Sequence, residues 1–163
     1  MLYRASATGE ESVRKGSVLT GSENNFAIKL PDQQIISDGI NLWQYNPAQK
    51  QVLVKLIADL ENNLHPTELI FRYLGTKAVS AKTELWKGVT VNAITLNPDK
   101  YREQFSAMEV WISPRDCSPL RLHTIDNLGN EVWYSIENLT AVKLSRDDFK
   151  FKLPLGVEEI DLR

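Results

Sequence analysis

The sequence is poor in the residues that most often carry chemistry. One cysteine, Cys117, stands among 163 residues. No internal disulfide can form, and the CxxC pairs of zinc and redox sites are missing. Of the two histidines, His65 sits beside a predicted helix start and His123 lies in an alternating run, with no third ligand at metal-like spacing. GxSxG, P-loop and GxGxxG signatures are all missing, and Gly16, Gly21 and Gly39 fall at turns. No local signature ties Cys117 and His123 together as nucleophile and base. The acidic pairs Asp147-Asp148 and Glu158-Glu159 lack EF-hand spacing and read as solvated turns. An enzyme, a resident metal and a cofactor are therefore not expected.

Charge and long apolar runs are equally scarce. The formal net charge is -2 and no basic run exceeds Arg14-Lys15, which argues against a nucleic-acid partner. No apolar stretch approaches the roughly 20 residues that span a bilayer as a helix. The opening MLYRASATGE lacks the basic start and apolar core of a signal peptide.

What the chain does have is a period of two. Phe26, Ile28 and Leu30 alternate with Ala27 and Lys29, and Val52, Val54 and Leu56 with Leu53 and Lys55. Met108, Val110 and Ile112 alternate with Glu109 and Trp111. Leu120 and Leu122 alternate with Arg121 and His123; Val132, Tyr134 and Ile136 alternate with Glu131, Trp133 and Ser135. These read as half-buried antiparallel strands. Asp126-Asn127-Leu128-Gly129-Asn130 fits a three-residue hairpin loop with Gly129 in the left-handed position, which places Leu122 opposite Tyr134. Asp38-Gly39 reads as a two-residue type I′ corner, both residues tolerating positive φ. Further strands are expected over residues 2–7, 11–20, 76–82 and 84–96, about ten in all.

One helix is expected, from His65 to Leu74, with Pro66 in its first turn, Leu69, Ile70, Tyr73 and Leu74 on one stripe, and Gly75 at its end. No internal repeat or linker appears, so the reading is a single mainly β (α+β) domain built on one strongly curved antiparallel sheet. One ten-residue helix cannot cover the apolar face of so many strands. That leaves either another helix or an apolar ligand to fill the concavity. Trp111 and Trp133 share a polar face with Glu109, Arg121, Glu131 and Glu137. They read as cross-strand cover, with a docking patch as the alternative.

The segment IISDGINLWQYNP with the following QVLVKL resembles a hairpin of the LolA outer-membrane lipoprotein carrier family. SPLRLHTIDNLGNEVWYSIENL is similar to that family's late hairpin, and FKFKLPLGVEEIDLR to its closing strand, with an ending most like Bacteroidetes-type members. The resemblance implies an unclosed antiparallel half-barrel with a helical lid over its concave face. It also implies a periplasmic carrier whose apolar concavity takes the acyl chains of lipoproteins. Cargo would arrive from an inner-membrane ABC transporter complex and pass to an outer-membrane acceptor, with the carrier a monomer and no cofactor involved. The alternative use of such a half-barrel is an RseB-like lipid-sensing module of envelope stress.

The lipid-binding residues expected on this basis are Phe26, Ile28, Leu30, Leu42, Val52, Val54, Leu56, Met108, Val110, Ile112, Leu122 and Tyr134. Leu69, Ile70 and Leu74 join them from the lid. The family's signal peptide and long first helix do not precede Leu2, which implies an N-terminal truncation. The stretch Gly21-Ser22-Glu23-Asn24-Asn25-Phe26 holds no arginine, so no arginine latch is expected for the lid.

Overall fold

In the computed structural model, which describes residues 1–22, 24–59 and 76–163, the alternating runs become thirteen strands. They do not form one curved sheet, because hydrogen bonding divides them into a seven-stranded and a six-stranded sheet. The chain clusters correspondingly into two compact units, one of Met1–Val13 with Ile70–Ala141 and the other of Arg14–Leu69 with Val142–Arg163. The expected lid helix over residues 65–74 lies outside the described residues.

The first unit holds β1 (Leu2–Arg4), β2 (Glu11–Val13), β8 (Ala78–Trp86), β9 (Val89–Leu96), β10 (Phe105–Ile112), β11 (Pro119–Asp126) and β12 (Glu131–Ser135), in the sheet order β2-β1-β12-β11-β10-β9-β8. All its pairings are antiparallel. The register across β11 and β12 puts Leu122 opposite Tyr134, as the loop and the hydrophobic pattern both required. Gly129 has φ 82°, and Asp126 accepts hydrogen bonds from the backbone N–H of Leu128 and Asn130. The β8–β9 corner is Lys87-Gly88, with φ 50° and 78°. That is the positive-φ pair of a type I′ turn, and it corrects the expected strand limits of 76–82 and 84–96.

The second unit holds β3 (Ser17–Thr20), β4 (Asn25–Lys29), β5 (Gln34–Asp38), β6 (Asn41–Asn46), β7 (Gln51–Leu56) and β13 (Glu158–Asp161), in the order β13-β7-β6-β5-β4-β3. Five strands form an antiparallel meander. The sixth, β13, joins β7 in parallel, so the expectation of a purely antiparallel sheet fails at this edge. A parallel neighbour arrives by a long connection and carries no turn signal of its own.

The run 11–20 is two strands because Gly16 interrupts it: a Cβ there would stand 2.4 Å from the Lys29 carbonyl oxygen. Only glycine allows that approach. The corner at Asp38 also shifts by one residue. Ser37 pairs with Leu42, so Gly39 and Ile40 form the connection, and of the two only Gly39 has positive φ, at 91°. Glycine alone at the first central position is the type II′ pattern, not I′.

Candidate functional site: two apolar sheet faces

Cross-strand partners in a sheet point to the same face, so the register states which side chains can meet one ligand. In the first unit Ile94, Val110, Leu122 and Tyr134 form one cross-strand row. Leu96, Met108, Thr124 and Val132 form the next. Met108, Val110 and Leu122 are fully buried, and Ile94, Tyr101, Phe105, Ile112 and Tyr134 pack partly buried against them. The five lipid-binding candidates of this unit, Met108, Val110, Ile112, Leu122 and Tyr134, therefore belong to one cluster. Ile94, Leu96, Tyr101 and Phe105 belong to it as well. Of these, Ile94 and Leu96 were legible from the alternation in β9.

The opposite face of that sheet is polar and aromatic around a smaller buried cluster of Val91, Ala93 and Trp111, with Trp86 and Leu120 packed against it. His123 stacks on Trp133 with ring centroids 4.4 Å apart, and its Nε2 lies 2.9 Å from Glu131 Oε2. Arg121 lies over the rings of both Trp111 and Trp133. The Trp111 indole N–H donates to Glu84 at 2.6 Å, and that bond, together with Lys82, holds the Glu84 carboxyl below the usual carboxylate range. Trp111 is buried. The two tryptophans thus act mainly as cross-strand cover, each tied to charged neighbours.

In the second unit the seven described candidates do not share a face. One face carries Phe26 and Ile28 from β4, Ser37 and Ile35 from β5, Leu42 and Gln44 from β6, and Lys55 and Leu53 from β7. The other carries Ala27, Ile36, Trp43 and Val54 in one row, with Tyr45 and Val52 beside it. Phe26, Ile28 and Leu42 are thus together, whereas Val52, Val54 and Leu56 point the other way. Leu30 lies one residue beyond β4, where its N–H donates to the Gln33 carbonyl. The reason is parity. Four residues, Pro47–Lys50, join Asn46 to Gln51, and a loop one residue longer or shorter would have brought Val54 to the Leu42 face.

The face of Val52 and Val54 is already occupied by the chain's own C-terminal segment. Phe151 stacks on Trp43 at 6.4 Å and leans on Tyr45 at 5.7 Å. Phe149 is buried, with its ring so close to Gly21 that a Cβ there would lie 2.8 Å from Cζ. Sequence reasoning missed this strap. Its only signal was the alternation of Phe149 and Phe151 with lysines outside any strand partner.

No chemistry converges on either sheet. Among the described residues no three of His, Cys, Asp and Glu are grouped as metal ligands would be. Cys117 is exposed in a tight loop with φ 57°. Asp38 accepts from the backbone N–H of Ile40 and Asn41 and from the Asn41 side chain. Burial alone would raise its pKa, but those hydrogen bonds outweigh burial and hold it below the ordinary value. Asp126 behaves in the same way, with Asn130 as its main donor. Both are turn-fixing groups.

Comparison with known proteins now bears on these faces. The family model described as "Outer membrane lipoprotein carrier protein LolA" matches residues 17–152. The chain belongs to the LolA family. An outer-membrane lipoprotein carrier protein of Actinobacillus pleuropneumoniae serotype 7 is 30% identical, with 97% of this chain and 78% of that protein aligned. A protein of the same description from Haemophilus ducreyi is also 30% identical, over 97% of this chain and 79% of its own. Among solved structures, an uncharacterized conserved protein from Thermus thermophilus has the same fold, with TM-score 0.58 at 13% identity, covering 98% of this chain and 87% of that one. The LolA match contains the Asp38 hairpin, the β11–β12 hairpin and the strap phenylalanines, and it ends before β13.

Proposed function

We propose that this chain is a periplasmic lipoprotein carrier that buries acyl chains against apolar sheet faces and performs no catalysis. Membership of the LolA family carries the reading, supported by relatives described as outer-membrane lipoprotein carriers. The physical argument agrees with it. Each methylene removed from water contributes about 0.8 kcal/mol without directional bonding, so a carrier needs apolar area and no reactive group.

The lining we assign to each unit's own sheet is Met108, Val110, Ile112, Leu122 and Tyr134 in the first unit and Phe26, Ile28 and Leu42 in the second. Val52, Val54 and Leu56 are not part of it. Because Met108, Val110, Leu122, Phe26 and Leu42 are buried, uptake requires a cover to open. The segment bearing Leu69, Ile70 and Leu74 fills that role in this proposal. Cargo would be received from an inner-membrane ABC transporter complex and delivered to an outer-membrane acceptor. The RseB-like sensor is not favoured, since the relatives are described as carriers.

The test is displacement of a fluorescent fatty acid from delipidated protein by a triacylated lipopeptide. Saturable displacement by the acylated peptide, with none by its unacylated form, is expected. Failure of the protein to take up the probe at any concentration would overturn the reading.

A further inference from the structure

The seven-stranded sheet ends in β8, whose outer edge pairs with no strand among the described residues. The strand is nine residues long, and apolar side chains stand exposed along it and at its corner: Val79 at 66%, Leu85 at 73% and Val89 at 57%. A long open edge of this kind is a template for another strand.

The hairpin geometry states which backbone groups the edge offers. Trp86 and Val89 flank the two-residue Lys87-Gly88 corner and exchange both backbone hydrogen bonds, and such pairs alternate along an antiparallel ladder. Counting back, Glu84 and Lys82 bond inward to β9. The N–H and C=O groups of Ala81, Thr83 and Leu85 therefore face outward.

We infer that β8 is a self-pairing edge, at which a second copy of this chain adds its own β8 antiparallel about a two-fold axis through Thr83. The inference is independent of the carrier reading and departs from the expected monomer. Charge selects the register. With the axis at Lys82 the two lysines oppose each other, and with the axis at Glu84 the two glutamates do, both destabilising. With the axis at Thr83, Lys82 faces Glu84 of the second copy and Glu84 faces its Lys82, in non-hydrogen-bonded pairs where side chains come closest.

The same register makes the outward groups of Thr83 meet those of Thr83 in the second copy, and those of Ala81 meet those of Leu85, giving six backbone hydrogen bonds. Leu85 then lies across from Ala81 of the second copy instead of in water. Lys82 already lies 3.1 Å from Glu84 Oε2 in its own chain, so pairing exchanges the two ion pairs within the copies for two across the axis, and charge sets the register without adding a pair. The shift in register between Ala78 and Ser80 ends the regular ladder before the paired stretch. A lysine in mid-edge ordinarily blunts such pairing; here it does so for every partner that lacks a carboxylate two residues on.

Sedimentation equilibrium of the full chain from micromolar to near-millimolar concentration tests this. A reversible dimer is expected. Thr83→Pro removes an outward N–H that β9 does not use, so it should leave circular dichroism unchanged and weaken the dimer about tenfold or more. Lys82→Glu and Glu84→Lys should each abolish self-association alone, while an equimolar mixture of the two restores a heterodimer. A wild-type chain that stays monomeric throughout, a Thr83→Pro dimer of unchanged affinity, or a mixture that fails to pair while both variants remain folded would each overturn the inference.

Discussion

The seven-stranded sheet is apolar on one face, where Met108, Val110 and Leu122 are buried, and mixed on the other, where Val91, Ala93 and Trp111 form a smaller buried cluster and His123, Arg121 and Glu109 share the surface with Trp133. The six-stranded sheet is apolar on both faces. Phe26 and Leu42 are buried on one side, and Val52 and Val54 on the other, the side that Phe151 covers. The mixed face is covered by its own Trp111, Trp133 and Arg121 side chains. On the Val52 and Val54 face of the six-stranded sheet the cover comes instead from the C-terminal strap, through Phe151. The difference teaches that apolar alternation marks burial and leaves open what does the burying.

The sharpest way to break this comparison is to lift the strap. Phe149→Ala should cost about 3–5 kcal/mol in urea unfolding, since a buried ring is replaced by a cavity. Acyl uptake at temperatures where the variant stays folded should be unchanged. Uptake lost in parallel would make the strapped face part of the groove. Next in size is the seven-stranded sheet: Met108→Ala should cost about 2–5 kcal/mol and also weaken fatty-acid binding, because the same atoms serve stability and cargo.

A paired change then separates the two faces of the six-stranded sheet. Leu42→Asn and Val54→Thr each bury a polar group and should destabilise by about 1–3 kcal/mol, yet only Leu42→Asn should weaken displacement of the probe. Equal binding losses would dissolve the distinction between faces.

The smallest effect concerns what the two sheets share. Asp38 and Asp126 both have folded-state pKa values below the ordinary one. Each therefore adds stability that is present above the unfolded pKa of about 3.9 and is lost as pH falls through the folded value. Asp38→Asn and Asp126→Asn should flatten the decline in stability from about pH 5 toward about pH 2. Solvent screening keeps each contribution below about 1 kcal/mol. An acid limb identical in wild type and both variants would remove the role of these hydrogen bonds.

Particular residues show why one sheet was easier to read than the other. At residues 126–130 two independent constraints agree, the glycine that a three-residue loop needs and the alternation on both sides, so the Leu122–Tyr134 register follows from sequence. At Asp38 the dipeptide fits two turn types, and the hydrogen bonds that Asp38 accepts choose the one centred on Gly39 and Ile40. In β6 the residues Leu42, Trp43, Gln44 and Tyr45 offer something to each face, so alternation cannot fix parity across the next loop. The expectation that Val52, Val54 and Leu56 share a face with Phe26, Ile28 and Leu42 fails for that reason. Lys87-Gly88 was passed over because Trp86 and Val89 continue the apolar pattern through the corner. The strap and β13 have no periodic neighbours or tight turn to announce them.

The parallel strand β13 has one more consequence. Its backbone completes β7 along Val52 and Val54, the Leu162 N–H reaches the Val54 carbonyl, and Arg163 clasps both Asp161 and Asn41. The second unit is thus assembled from Arg14–Leu69 and the chain's final segment, Val142–Arg163. During synthesis from the N-terminus, β7 waits with a bare edge while the whole stretch between it and β13 is made, so whatever escorts the nascent polypeptide must shield that edge meanwhile.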